Sequence, residues 1–172
     1  MRLAKRLVVA GALLGGLVWV WVRMPQSAFY GAEGPTPLGR ATTRVMVWWS
    51  GAGMPPARQS VLELRGRKSG LTRSLPVVIA TVDGERYLVS MLGGRASWVA
   101  NARAGGAAAL RHGRREAVRL EEVFGPGRVP VLREYLRLAT GARPFFPLRP
   151  DAPEADFAAL VDRYPVFRVV PA

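Results

Sequence analysis

The sequence predicts an α+β fold that is mostly β: an antiparallel sheet curled into a barrel, a few flanking helices and an apolar helix at the N-terminus. Three observations carry this. Five short runs of alternating or β-branched residues follow one another with tight turns between them. Two helical patterns come after these runs rather than between them, which disfavours a parallel sheet. A run free of charge, 7–22, opens the chain.

The chain has 172 residues, and setting the apolar run aside leaves roughly 145, the size of one domain with a self-sufficient core. It has no cysteine, which removes disulfides, thiolate nucleophiles and cysteine-based metal sites. Its single histidine, His112, leaves little room for a histidine metal cluster or a histidine-based triad. Lysine and arginine number 25 against 12 acidic residues, a net charge of +13, so anionic partners are favoured.

Arg2, Lys5 and Arg6 precede the apolar run and Arg23 ends it. Its length as a helix is about 24 Å, somewhat short of a bilayer core of about 30 Å, with snorkelling arginines able to make up the rest. Trp19 and Trp21 stand where an interfacial aromatic belt would place them. The reading is a membrane anchor over 1–24. A cleaved signal peptide and a buried core helix are the alternatives; the run lacks both a small-x-small cleavage site and a polar face. The charges flanking the run weakly favour a cytoplasmic N-terminus and the domain outside. Gly11 and Gly15 have helix-pairing spacing, a weak signal in a glycine-rich chain.

Residues 25–57 read as a linker punctuated by Gly and Pro, with an apolar patch at 45–49 forming a short helix or strand near a membrane surface. The barrel domain is expected over 58–172. Strands are read at 60–65, 75–82 and 86–91, with Asp83-Gly84 as a hairpin turn, then at 107–111 and 116–123 around His112-Gly113, in meander order. A last strand at 166–170 closes the barrel. Residues 98–104 suit a short helix. Val129, Leu132 and Leu136 share one face of a longer helix. In the final helix Asp151 and Glu154 have capping-box spacing, Pro153 falls in the first turn, and Phe157, Leu160, Val161 and Tyr164 form the apolar stripe. Residues 142–150 read as a proline-punctuated loop, a lid or a cover over the barrel.

Two constellations could carry chemistry. The first is Gly66-Arg67-Lys68-Ser69-Gly70, followed by Arg73 and Pro76. A glycine-flanked turn between strands can aim backbone N–H groups one way, and three cations and a hydroxyl surround it, so it suits a phosphate or carboxylate. It is not a P-loop, because Arg67 rather than Gly precedes Lys68. Lys68 is the only lysine beyond the N-terminal segment. A solvated basic hairpin turn is the alternative. The second constellation is Ser90, Gly93 and Gly94 at a strand end, with Trp98 and Asn101 three residues apart. It offers close backbone approach, a flat ring and a donor–acceptor pair. The alternative is that Trp98 plugs the barrel end and Asn101 caps a helix.

Together, the stretch from Leu62 through Gly66-Arg67-Lys68-Ser69-Gly70, Arg73 and Pro76, the strand ending in Ser90 with Gly93-Gly94 after it, and Trp98-x-x-Asn101 resemble the deazaflavin-dependent nitroreductase/quinone reductase family. The stretch Tyr164 to Arg168 resembles that family's last strand, so the likeness spans roughly 58–170. The segment from Gly-Gly to Trp is shorter here, and Tyr135 and Tyr164 are unaligned candidates for tyrosines that some members place over the cofactor ring.

The resemblance implies a split β-barrel, coenzyme F420 with flavin mononucleotide as the alternative, and hydride transfer to a small apolar acceptor such as a quinone or nitro compound. It implies that Arg67, Lys68, Ser69 and Gly70 hold the cofactor phosphate and that Arg73 contacts it or the oligoglutamate tail. Pro76 belongs to the same motif. Ser90, Gly93 and Gly94 would approach the ring or ribityl chain, and Trp98 and Asn101 would shape the pocket. No protein nucleophile is needed, in keeping with the missing cysteine. Such barrels often pair, so a homodimer is an expectation, and a cytoplasmic cofactor argues, against the charge count at the anchor, for the domain on the cytoplasmic face. Two rival readings are a non-catalytic flavin, F420, haem or lipid carrier on the same fold, and a nucleic-acid-binding module. The latter would use the 11 basic and 3 acidic residues of 65–119, but aromatics are not interleaved with the cations there.

Overall fold

The computed structural model describes residues 28–31 and 34–172. The apolar run 7–22, and with it the anchor reading, lies outside the described residues. Among the described residues no helix is long and apolar enough to cross a membrane. They fall into two units that divide between Ala41 and Thr42. The first holds two two-residue strands, β1 (Tyr30–Gly31) and β2 (Gly34–Pro35), and the start of helix α1 (Pro37–Gly51). Thr36 caps α1: its Oγ1 accepts the Gly39 N–H at 3.0 Å. The patch at 45–49 thus belongs to a 15-residue helix rather than a short segment.

The second unit is a closed six-stranded antiparallel barrel. Its strands are β3 (Gln59–Arg65), β4 (Thr72–Val82), β5 (Glu85–Val89), β6 (Ala108–His112), β7 (Arg114–Val123) and β8 (Val166–Pro171). All six expected strands form, with β4 and β7 beginning earlier than the apolar pattern indicates. The strand order around the barrel is β3-β4-β5-β8-β7-β6, which corrects the simple meander. β5 does not pair with β6; β6 returns to β3, with Leu64 opposite Ala108. β8 fills the remaining gap, with Val166 paired to both Val89 and Val123. The reason lies between the strands. Helix α2 (Ser97–Arg103) follows β5 and carries the chain across to the far side of the sheet.

Side-chain alternation divides the core in two. Leu62, Leu64, Leu88, Leu110, Val118, Phe167 and Val169 fill the barrel, and Trp98, Val99 and Ala102 of α2 pack with them. On the opposite face, Ala80, Val89 and Val166 meet helix α3 (Arg128–Leu138) and helix α4 (Glu154–Leu160) through Val129, Leu132, Leu136 and Phe157. The expected capping box at Asp151 is not made: Pro153 is the cap residue and α4 has no side-chain cap. The helix also ends before Tyr164, tightening to a 3-10 turn at Val161–Arg163. Pro165 follows, and the residue before a proline is driven out of the helical region. Tyr164 is extended, at φ −121° and ψ 93°. It is still buried, stacked on Phe146 with ring centroids 4.0 Å apart and donating from its hydroxyl to Phe145 O at 2.8 Å. Residues 142–150 therefore include a cover over this second core, and Thr140–Phe145 is a 3-10 turn rather than open loop.

Candidate functional site: a cationic turn held by an asparagine

The 66–70 turn closes the β3–β4 hairpin. Register brings Arg65 opposite Thr72, and the Gly66 N–H donates to Leu71 O at 2.9 Å. The Gly70 N–H donates back to Gly66 O at 2.8 Å, and Gly70 takes φ +67°, a conformation only glycine adopts without strain. Arg67, Lys68 and Ser69 at the tip are exposed, as is Arg73 in β4. The Ser69 Oγ accepts the Leu71 N–H at 3.4 Å, a long bond.

Asn101 joins the two constellations. It is buried on α2, 8% exposed, and its Oδ1 accepts the Arg67 backbone N–H at 3.2 Å. The Arg67 Nη1 lies 3.5 Å from the same oxygen. Trp98, one turn earlier on α2, goes elsewhere: its ring sits 5.3 Å from the Phe167 ring, inside the barrel end. Asn101 thus holds the turn, while Trp98, half-buried, packs against the barrel core.

At the other end of α2, Ser90 is buried and its Oγ donates to Gly93 O at 2.8 Å, while the Gly93 N–H returns to Ser90 O at 3.0 Å. Gly93 has φ +69°, and a Cβ there would lie 2.9 Å from Arg163 O. Gly94 is exposed beside Pro165. Pro76 is half-buried in β4 opposite Val61, one full strand segment from the tip. The structure therefore brings together Arg67, Lys68, Ser69, Gly70 and Asn101 at one end of α2, and Ser90, Gly93 and Gly94 at the other.

Ion pairing separates the arginines into two classes. Arg86 pairs with Glu116, Arg103 with Glu122, Arg111 and Arg115 with Glu63, and Arg168 with Glu85 and Glu121. Burial alone would raise the Glu63 carboxyl, but hydrogen bonds from Arg115 and Arg111 outweigh it and hold the group below the ordinary glutamate value. Hydrogen bonding to Arg86 likewise lowers Glu116. Among the described residues no carboxylate pairs with Arg65, Arg67, Lys68, Arg73 or Arg95. Arg65, at the foot of the turn, was missed in the sequence; its signal is position, an exposed cation immediately before Gly66. His112 is the last residue of β6, paired with Arg114 beside Gly113, rather than a turn residue, and its Nδ1 lies 2.9 Å from Gln59 O. A carbonyl can only accept, so Nδ1 carries the proton.

Two open clefts of about 510 and 580 Å³ lie elsewhere, near Arg133 on α3 and around Phe146. None of the candidate cofactor-binding residues lines either, although the second is walled by the proline-punctuated segment from Arg143 to Asp151. No cluster of metal-ligating side chains occurs among the described residues.

Comparison with known proteins settles the family. The model of the F420H(2)-dependent quinone reductase family matches residues 40–136, more than half the chain. The chain belongs to that family. As an F420H(2)-dependent quinone reductase family member it is an oxidoreductase, and its cofactor is coenzyme F420. No curated protein matches it. Among solved structures it is similar to the conserved hypothetical protein Rv2991 from Mycobacterium tuberculosis, at 15% identity and TM-score 0.50, over 83% of this chain and 84% of that one. It also matches an F420-H2 dependent reductase, FDR-A, at 24% identity and TM-score 0.42, over 65% of this chain and 93% of that one. The family match begins within α1 and spans the turn, Ser90 to Gly94, and Asn101.

Proposed function

We propose that this F420-dependent oxidoreductase grips the anionic phosphate and oligoglutamate arm of its cofactor at the 66–70 turn and passes a hydride to a small apolar acceptor, a quinone or nitro compound. The carrying observation is the turn itself: Arg67, Lys68 and Arg73 have no carboxylate partner among the described residues, whereas Arg86, Arg103, Arg111 and Arg115 on the barrel are ion-paired. The group fits this donor set, because a multiply charged anion satisfies cations that the protein leaves uncompensated.

Bound F420 supplies the hydride chemistry. The chain's own residues do the rest. Asn101 fixes the Arg67 backbone and so the direction in which the turn presents its charges. Lys68 offers a compact ammonium and Arg67 and Arg73 planar forks, which together favour an extended polyanion over a single ion. The Ser90–Gly93 turn, closed on its own hydrogen bonds, presents bare backbone at Gly93 and Gly94 where a planar ring can approach. Arg95, exposed in the same 3-10 turn, adds positive charge beside it. Trp98 acts through packing, keeping α2 seated so that both turns hold their spacing. Rate acceleration then comes from orientation and exclusion of water rather than from a protein acid or base.

Localisation is part of the proposal. The apolar run anchors the chain in a membrane with the barrel on the cytoplasmic face, where a lipid-soluble quinone and a cytoplasmic cofactor meet. The test is a fluorescence titration of the full chain with F420, followed by stopped-flow oxidation of reduced F420 with a menaquinone analogue and a nitroaromatic. Binding with turnover supports the reading. Binding without oxidation by either acceptor would leave a carrier and overturn the reductase.

A further inference from the structure

Helix α1 is amphipathic in the reverse sense. Val45 and Trp48 stand at i and i+3, Ala52 follows just past the helix end, and all three face solvent. Val45 is 62% and Trp48 67% exposed, with Trp49 at 40% and Met54 at 38% beside them. Ser50 and Gly51 are buried instead. Leu38 and Ala41 continue the apolar spacing in the sequence. A contiguous Val–Trp stripe left in water is unfavourable and marks a surface that is covered in use.

The charges around it identify the cover. Between Glu33 and Glu63 the sequence has no carboxylate, but it has Arg40, Arg44 and Arg58. The β6–β7 hairpin docks at the end of α1, where the Gly113 N–H donates to Gly51 O at 3.1 Å. That brings Arg114, exposed and without an ion pair among the described residues, to the same end. A second copy of this face would set arginine against arginine. Residues 1–27 are no better, being basic and free of acidic residues. A surface that is apolar within and negative at its rim satisfies both features, and tryptophan favours the headgroup level of such a surface.

We propose that α1 lies in the plane of an anionic lipid bilayer, with Val45 and Trp48 below the headgroups and Arg44 and Arg114 against lipid phosphates. This holds the barrel by its Gln59 end. The cationic turn lies at the other end of β3, about 20 Å along the strand, so its charges stay free for a soluble anion. The proposal goes beyond the cofactor reading and does not depend on it.

The absence of cysteine makes the test direct. Val45→Cys and Trp48→Cys in the full chain, with Ala158→Cys on the exposed side of α4 as reference, each carry an NBD label. On vesicles of phosphatidylglycerol and phosphatidylcholine, labels at 45 and 48 are expected to shift to the blue and brighten severalfold, and to be quenched by shallow spin-labelled lipid; the label at 158 should not respond. No response at 45 and 48 overturns the proposal, and so does an equal response on phosphatidylcholine alone. An emission already blue-shifted without vesicles also overturns it: rising with protein concentration it indicates a second copy, and independent of concentration it indicates the chain's own N-terminal segment. F420 titration of the same labelled proteins reads the cofactor site separately.

Discussion

The side-chain oxygen of Asn101 accepts the backbone N–H of Arg67 at 3.2 Å, joining α2 to a turn 34 residues earlier in the chain. That single bond couples the seat of α2 in the barrel end to the geometry of the cationic turn. Asn101→Ala releases the turn, and F420 affinity is expected to fall about tenfold, the equivalent of one hydrogen bond of ~1–1.5 kcal/mol. Asn101→Asp keeps an acceptor for the Arg67 N–H but adds a negative charge, so it should retain the melting temperature better than alanine while still weakening F420. Isothermal titration with F420, alongside thermal melts, distinguishes the two. Unchanged affinity in both variants would remove Asn101 from the site.

The exposed cations at the tip should matter for binding and not for folding. Arg67→Gln with Lys68→Gln is expected to weaken F420 by tenfold or more, since charge-assisted hydrogen bonds are each worth about 1.5–3 kcal/mol. The salt dependence of binding should flatten in parallel. The melting temperature should stay within about 2 °C, because both side chains are exposed and neither is ion-paired among the described residues. Arg86→Gln is the contrast: it breaks the pair with Glu116 and should leave F420 affinity nearly unchanged.

Glu63 makes stability depend on pH. Its carboxylate bridges Arg111 on β6 and Arg115 on β7 at 2.9 and 2.8 Å, and its folded value lies below the ordinary 4.5. A depressed carboxylate stabilises the fold above its unfolded value. That contribution is lost as the pH falls from about 4.5 through the lower folded value. Glu63→Gln should lower the melting temperature at neutral pH by several degrees and weaken the acid dependence below about pH 5. A variant as acid-sensitive as the parent would show that other carboxylates govern that limb.

Gly93 tests the second turn. With φ +69° and Arg163 O only 2.9 Å from where a Cβ would stand, Gly93→Ala meets both backbone strain and a collision with main chain that cannot swing aside. A loss of about 1–3 kcal/mol is expected by chemical denaturation. Gly94→Ala, with only Pro165 Cγ at 3.9 Å nearby, should be close to neutral for stability. If it nevertheless weakens F420, the ring approaches at Gly94.

Much of the barrel was legible because its strands obey a period of two and its turns carry their own signals. Asp83-Gly84 and Gly113 sit between paired strands, and Leu62, Leu64, Val118 and Phe167 alternate with residues of the outer face. What was not legible is what depends on distant partners. The neighbours of β8 follow from where α2 delivers the chain, not from the content of 166–171. Helix α1 was obscured because its apolar residues lie on the exposed side as well as the buried one, so 45–49 reads as an unbroken apolar run. Tyr164 fitted a helical stripe whose spacing took no account of Pro165.

The site divides in the same way. The residues of the turn stand together in the sequence, and their glycines and cations announce an anion. The link from Asn101 to Arg67 is invisible there, since Trp98 and Asn101 share a helical face by spacing yet serve different ends. Arg65 was overlooked because it closes a strand. The charge pattern that separates paired from free arginines needed the structure, for Arg86 and Glu116 lie 30 residues apart.

The placement of β8 governs how the protein is made. Before 166–171 leaves the ribosome, the other five strands can assemble only as an open, curled sheet whose β5 and β7 margins lack partners. Closure therefore waits for β8, and until it arrives those margins are the places where a nascent chain is open to pairing with a stranger.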